Sequence, residues 1–161
     1  MLMTSAHVTN FRSVDDSEEF DLAPVTCLVG KNEAGKSAVL MALAALNPHE
    51  STPARLDKER DYPRRLLTQY AERHSEDDAL AISTTWQLSA GELARLAAQV
   101  GQGVVTNASV GILRRYGAKL PEIDADIDYK AAIKWLYGRF QLDEAEISVI
   151  GAVSNTTGAH R

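Results

Sequence analysis

The chain has 161 residues, of which 45% are hydrophobic and 24% charged, with a net charge of −5 at pH 7 and one cysteine. This composition is typical of a single globular domain; it excludes a disulfide within the chain and disfavours a dedicated nucleic-acid-binding surface. No apolar run approaches the roughly 18 residues of a membrane-spanning helix, and residues 1–6 lack a signal-peptide pattern, so a cytoplasmic location is expected.

The N-terminal region is predicted to contain three strands. Residues 6–11 and 17–22 are predicted as the first two, and the polar residues 12–16 as the turn that joins them into a hairpin. Residues 25–29, Val-Thr-Cys-Leu-Val, form a short apolar run rich in β-branched residues, which is typical of a buried strand. Cys27 is therefore expected to be a buried small hydrophobic residue.

A phosphate-binding motif follows the third strand. Residues 30–37, Gly-Lys-Asn-Glu-Ala-Gly-Lys-Ser, fit the pattern G-x-x-x-x-G-K-[ST]. The pattern requires a strand before it and a helix after it; residues 25–29 supply the strand, and the helix-forming residues 38–46 supply the helix. Asn47-Pro48 is expected to end that helix. A nucleotide is therefore the predicted ligand, and no Asn-Lys-x-Asp motif supports a guanine base.

The residues of the motif have expected roles. Gly30 and Gly35 let the backbone turn tightly and approach a ligand closely. The amide groups of the loop and the positive end of the helix dipole then suit a phosphate. Lys36 is expected to reach the β- and γ-phosphates, and the Ser37 hydroxyl to bind Mg²⁺.

The rest of the chain alternates between predicted helices and strands, which is typical of the α/β class. The predicted elements are a loop over 49–62, a helix over 63–74, a strand over 79–88, a helix from 90 to 100 that ends at Gly101, short strands at 104–105 and 110–116, a helix over 129–139 capped by Asp128, and a last strand over 147–153. The four histidines are scattered without ligand spacing, so no metal site beyond the Mg²⁺ of a nucleotide is expected.

One short segment has two interpretations. Leu-Ser-Ala-Gly-Glu at 88–92 resembles the ABC ATPase signature Leu-Ser-Gly-Gly-Gln/Glu, which contacts a partner's γ-phosphate. Ser89 and Glu92 also fit the capping box S-x-x-E at the start of an apolar helix. Because the segment comes only about fifty residues after the phosphate loop and no acidic motif follows it, the capping box is the favoured interpretation.

Four segments together resemble a known family. They are VTNFRSV at 8–14, VTCLVGKNEAGKSAVLMALAALNP at 25–48, RDYPRRLLTQY at 60–70 and TTWQLSAGELARL at 84–96. They are similar to the N-terminal ATPase region of the overcoming-lysogenization-defect (OLD) family, ABC-type ATPases related to RecF and the SMC proteins. The resemblance covers about residues 6–100 and leaves 101–161 unassigned.

The resemblance implies a fold, ligands and partners. The fold is an α/β P-loop NTPase lobe, part of an ABC-type head, in which an N-terminal antiparallel hairpin joins a mixed sheet with flanking helices. The implied ligands are ATP and Mg²⁺, and the implied assembly is a homodimer or higher oligomer through paired heads. Many members continue into a TOPRIM nuclease domain and act on DNA in repair or defence.

The resemblance also implies site residues. Gly30, Asn32, Gly35, Lys36 and Ser37 take phosphate-loop roles, with Ser37 as the Mg²⁺ ligand. Arg12, just after the first strand, lies near the nucleotide phosphates; a solvated turn residue is the alternative for this position.

An ATPase of this class also needs an acidic residue after an apolar run, and no segment supplies it. The apolar run 147–153 is followed by Ser154-Asn155, and 120–124 is not apolar enough. The hypothesis is therefore a first ATPase lobe, spanning 1–161 of either a truncated chain or a short gene product, that binds ATP without efficient hydrolysis.

Two other classes of protein stay open. One is a small P-loop phosphotransferase, for which a lid arginine would come from Arg64, Arg65, Arg114 or Arg115. The other is a non-catalytic module in which the nucleotide controls an interaction. The hairpin before the phosphate loop argues against the phosphotransferase, and the missing acidic motif favours the module.

Overall fold

The computed structural model describes residues 1–32, 34–47, 56–75 and 78–140. Their strands are β1 (Leu2–Phe11), β2 (Val14–Asp21), β3 (Leu80–Gln87), β4 (Val105–Arg115) and β5 (Glu122–Ile127). Their α-helices are α1 (Lys36–Ala44), α2 (Lys58–Asp61), α3 (Tyr70–Arg73), α4 (Ala90–Val100) and α5 (Tyr129–Phe140), and a 3₁₀ helix covers Arg64–Gln69.

The strands form one sheet in the order β2-β1-β3-β4-β5. Strand β1 is antiparallel to both β2 and β3, and β3 is antiparallel to β4. The mixed sheet expected for the lobe is therefore not found among the described residues, whose sheet is antiparallel. The described residues divide into two compact units, one within Leu2–Gln87 and Ser109–Asp124 and one of Met1, Leu88–Ala108 and the described residues from Ala125 onward.

The first unit holds the core that supports the predicted phosphate loop. Helix α1 buries Ala38, Val39 and Ala42, and it contacts β1 and β3 of the sheet. Small residues on this face allow the helix to lie close to the strands, whose inward side chains include Val8 and Ile82. The first turn of α1 is thereby held at a defined position beside the β1–β2 hairpin.

The strand predicted over 25–29 is wrong for the described structure. These residues have no strand assignment and no ladder partner. Val25 is 90% exposed, Val29 is 86% exposed, and Cys27, expected to be buried, is exposed as well. An apolar run becomes a strand only where a neighbouring strand accepts its backbone hydrogen bonds. The described part of the chain provides no such neighbour for 25–29.

Other predictions differ in detail. The loop predicted over 49–62 contains α2, whose first turn is capped by the Asp57 side chain, and the helix predicted over 63–74 is a 3₁₀ helix followed by α3. The two short strands predicted around residues 104–116 are one strand, β4, and β5 was not predicted. The hairpin, α1, β3, α4 and α5 are confirmed. The strand predicted over 147–153 lies outside the described residues.

An aromatic cluster closes the core of the first unit. The rings of Tyr62, Tyr70 and Tyr116 meet edge to face, with the Tyr62 and Tyr70 centroids 4.8 Å apart. Tyr62 Oη accepts a hydrogen bond from Arg73 Nη1 at 3.0 Å and lies 3.0 Å from His74 Nε2. Oη can donate its proton to His74 only while Nε2 is unprotonated.

We expect this cluster to make stability depend on pH. Burial lowers the pKa of His74 below its ordinary value of 6.5, and the charge of Arg73 lowers this pKa further. Between its folded-state pKa and pH 6.5, His74 therefore binds a proton in the unfolded chain and not in the folded chain. The contribution of His74 to the free energy of unfolding should be complete above pH 6.5. It should be lost as the pH falls through the folded-state pKa of His74.

The measurement is urea unfolding at a series of pH values. A His74→Phe variant should lose this component of the pH dependence. A His7→Gln variant, which replaces the partly exposed imidazole that pairs with Asp16, should keep it. An unchanged acid slope in His74→Phe would contradict the assignment.

Candidate phosphate-binding site

The N-terminus of α1 is open toward a ligand. Its N-cap is Gly35, which has no side chain to cap the amide groups of the first turn, and no acidic residue lies in that turn. By contrast, α4 is capped by the Ser89 side chain and α5 by Asp128. The first-turn amides of α1 and the positive end of its dipole are therefore available to an anion.

Glycine is required at position 35 for two reasons. Gly35 has φ +84° and ψ 1°, in the left-handed region that residues with a Cβ rarely adopt. A Cβ there would also lie 2.9 Å from Val14 Cγ2 of the hairpin. At Gly30 a Cβ would meet Ala34 Cβ at 3.5 Å, an ordinary contact, so this described neighbour does not require glycine there. The conformational demand expected of both glycines therefore falls on Gly35.

Lys36 holds the loop together from within. Its Nζ donates hydrogen bonds to the carbonyl oxygens of Gly30 at 2.7 Å and Lys31 at 2.6 Å. These two hydrogen bonds hold the backbone at Gly30 and Lys31 against the ammonium group of Lys36. Ser37, the next residue, is exposed, which leaves its hydroxyl accessible to solvent and ligands.

A pocket of about 350 Å³ lies at this helix end. It is lined by Ser13, Asn32, Gly35, Lys36, Ser37 and Ala38. Four of the site residues implied by the resemblance thus share one pocket wall, and Gly30 contributes a carbonyl bonded to Lys36. No acidic side chain is among the lining residues that the structure describes. The volume is in the range of about 300–1,000 Å³ common for small-molecule sites.

The sequence pattern did not identify Ser13 as a site residue. It lies in the β1–β2 turn, and its Oγ is 3.6 Å from where a Cβ on Gly35 would be. Its position directly after Arg12 in the segment VTNFRSV is a signal that could have identified it. The pocket therefore has two walls, the α1 N-terminus and the hairpin turn.

Arg12 is partly exposed and lies beside the pocket, not among its described lining residues. Its backbone has φ +54°, its N–H donates to the carbonyl oxygen of Asp61, and its Nη2 lies 3.4 Å from Asp61 Oδ1. Asp61 is buried, which raises its pKa, but hydrogen bonds from Arg60 and the Asp57 N–H, with the charges of Arg60 and Arg12, outweigh burial and hold that pKa below its ordinary value. Arg12 is thus ion-paired beside the pocket-lining Ser13.

The arginines proposed for a phosphotransferase lid are mostly engaged elsewhere. Arg114 is fully buried, and its Nη1 donates to the Lys119 carbonyl oxygen at 2.9 Å. Arg115 lies 3.5 Å from an Asp78 carboxylate oxygen and 3.4 Å from a Glu122 one, and Arg65 pairs with Asp15. Three of the four are therefore tied to partners, and the structure adds no support for a lid.

The capping interpretation of residues 88–92 is confirmed. Glu92 N–H donates to Ser89 Oγ, and Glu92 Oε2 accepts from Ser89 N–H at 3.0 Å, which completes a capping box. The Met1 ammonium hydrogen-bonds to the same carboxylate, and with the Ser89 bonds it lowers the pKa of Glu92 to about 2. These polar groups bond one another within their own unit.

Within the described ranges, no cluster of three or more potential ligands could hold a metal ion, and no helix is long and apolar enough to cross a membrane.

Comparison with known proteins identifies the family. No curated protein matches the chain. A family model described as AAA ATPase domain matches residues 1–90, more than half of the chain and the part that contains the pocket. The chain therefore belongs to the AAA ATPase domain family, in which nucleotide binding is the shared property.

Proposed function

We propose that this chain is the ATP-binding lobe of an OLD-, RecF- or SMC-like ATPase. The observation that carries the proposal is the pocket at the uncapped N-terminus of α1, lined by Asn32, Gly35, Lys36 and Ser37. The AAA ATPase match over residues 1–90 supports it. A triphosphate fits this site because the amides of a helix end without a side-chain cap, a helix dipole and an ammonium group converge there.

Lys36 and Ser37 have different roles in binding the nucleotide. The ammonium group of Lys36 now bonds two neutral carbonyls, and charged phosphate oxygens would replace them as stronger acceptors. The exposed Ser37 hydroxyl fits Mg²⁺, which takes few protein ligands and completes its shell with phosphate oxygens and water. When bound, Mg²⁺ would neutralise charge on the phosphates.

The same pocket argues against efficient hydrolysis by the chain alone. None of the described residues that line it carries a carboxylate, and a carboxylate is the group that activates an attacking water in such enzymes. We propose that a cytoplasmic parent protein supplies that carboxylate, pairs its heads around nucleotide as a homodimer or higher oligomer, and acts on DNA, in some cases with a TOPRIM nuclease. For the chain itself, the lack of an acidic motif in the sequence equally favours a nucleotide-controlled interaction module.

The test is calorimetric titration with ATP and Mg²⁺, with ATP turnover followed in the same samples. Lys36→Ala should weaken binding by about 10- to 100-fold, because charge-assisted hydrogen bonds contribute about 1.5–3 kcal/mol. The matched control is Lys31→Ala, which removes the same charge from an exposed side chain in the same loop and leaves the Lys31 carbonyl in place.

Binding lost only in Lys36→Ala, with no turnover, is the expected result. Equal losses in both variants would reduce the site to nonspecific charge attraction. Turnover at the rate of a complete ATPase would show that the chain contains the water-activating carboxylate, and would move the phosphotransferase to first place.

A further inference from the structure

The turn between β1 and β2 forms the second wall of the phosphate pocket. Ser13 lines the pocket, and Val14 packs directly beneath Gly35. Arg12 adopts a positive φ of +54° in this turn, a conformation that must be held by its surroundings in a residue with a Cβ. The position of the turn thus sets the shape of the pocket.

Asp61 holds this turn at two points. Its carbonyl oxygen accepts the Arg12 N–H, and its carboxylate faces Arg12 Nη2 at 3.4 Å. The same buried carboxylate accepts hydrogen bonds from Arg60 Nε at 3.1 Å, Arg60 Nη2 at 2.7 Å and the Asp57 N–H at 3.1 Å. It is therefore a rigid acceptor, anchored independently of Arg12.

We propose that Asp61 is a positioning residue for nucleotide binding, which holds Arg12 and the β1–β2 turn against the phosphate pocket. The inference rests on the proposed ATP-binding function. Arg12 is 40% exposed, so its guanidinium keeps donors available beyond the Asp61 contact. A planar guanidinium with five donors can direct one N–H toward Asp61 and others toward an anion next to Ser13.

The test is a double-mutant cycle on the Kd for ATP and Mg²⁺. Arg12→Ala and Asp61→Asn should each weaken binding by about tenfold, and the double variant should be no weaker than either single one, because Asp61 acts through Arg12. The structural control is Tyr116→Phe, which removes the buried bond from Tyr116 Oη to the Asn10 carbonyl oxygen, 2.7 Å long, near the same turn. This control should lower stability and leave the Kd within about twofold of wild type.

Several outcomes of the cycle and its control would overturn the proposal. Tighter binding in Asp61→Asn would mean that the carboxylate competes with phosphate for Arg12. Losses that add in the double variant, or an equal loss in Tyr116→Phe, would reduce Asp61 to a general structural role. If wild type and Lys36→Ala both fail to bind ATP, the proposed function itself fails. If Lys36→Ala weakens ATP binding while Arg12→Ala and Asp61→Asn bind ATP as tightly as wild type, the inference alone fails.

Arg12→Lys keeps the test decisive if Asp61→Asn does not fold. This variant retains the positive charge and leaves Arg60 and the buried Asp61 untouched. A single ammonium group cannot share its donors between Asp61 and a phosphate in the way a guanidinium does. Arg12→Lys should therefore lose nearly as much affinity as Arg12→Ala, and wild-type affinity in Arg12→Lys would contradict the proposal.

Discussion

A Tyr62→Ala variant should unfold with a free energy about 3–5 kcal/mol lower than wild type, the cost usual for truncating a large buried aromatic residue. Tyr62 is 1% exposed, and its ring lies 4.8 Å from the Tyr70 ring and 5.7 Å from the Tyr116 ring, centroid to centroid. The substitution would leave a cavity among these rings. It would also remove the hydroxyl that bonds Arg73 and His74.

Urea unfolding followed by circular dichroism measures this loss. The matched control is Tyr129→Ala, which removes the same side chain from α5, where it is 58% exposed. Exposed substitutions usually change stability by no more than about 0.5 kcal/mol. If the two variants lost stability equally, Tyr62 would not be the core residue that its burial indicates.

A Gly35→Ala variant should lose both stability and nucleotide binding. The left-handed backbone costs a residue with a Cβ about 1–2 kcal/mol, and the contact of 2.9 Å with Val14 Cγ2 adds about 1–3 kcal/mol of overpacking. Relief of that contact requires the α1 N-terminus and the hairpin turn to move apart. Because these are the two walls of the pocket, ATP binding should fall below detection.

The control for this variant is Gly91→Ala in α4. A Cβ at Gly91 meets nothing within 4 Å, and alanine is the better helix former, by up to about 1 kcal/mol. Thermal unfolding and the ATP titration should therefore show Gly91→Ala as stable as wild type, or more so, and unchanged in affinity. Wild-type ATP affinity in Gly35→Ala would contradict the two-walled pocket.

Local chemistry made several elements predictable. The capping box of Ser89 and Glu92, the Asp128 cap and the stop at Gly101 involve residues within one turn of each other, and the structure contains all three. The start of α1 at the phosphate loop follows from the same kind of short-range signal. Caps and glycines act on neighbouring backbone groups, so their effect is readable from adjacent positions.

Pairing between distant segments was less predictable. Residues 25–29 have the composition of a buried strand and no partner in the described structure, whereas β5, with charged residues at Glu122, Asp124 and Asp126, joins the sheet beside β4. Composition reports how apolar a segment is, but a ladder depends on which backbone lies alongside it.

The amino-acid order was sufficient to establish the phosphate-binding motif, the hairpin before it and the helix after it, because glycine freedom, strand patterning and helix propensity operate within a few residues. The second wall of the pocket required the folded chain. Ser13 lines the pocket, which the loop and the start of α1 otherwise form. Arg12 contacts Asp61, which is 49 positions away in the sequence. Such contacts arise from packing of the hairpin, α1 and α2 around one core, and no local pattern encodes which buried carboxylate will meet which arginine.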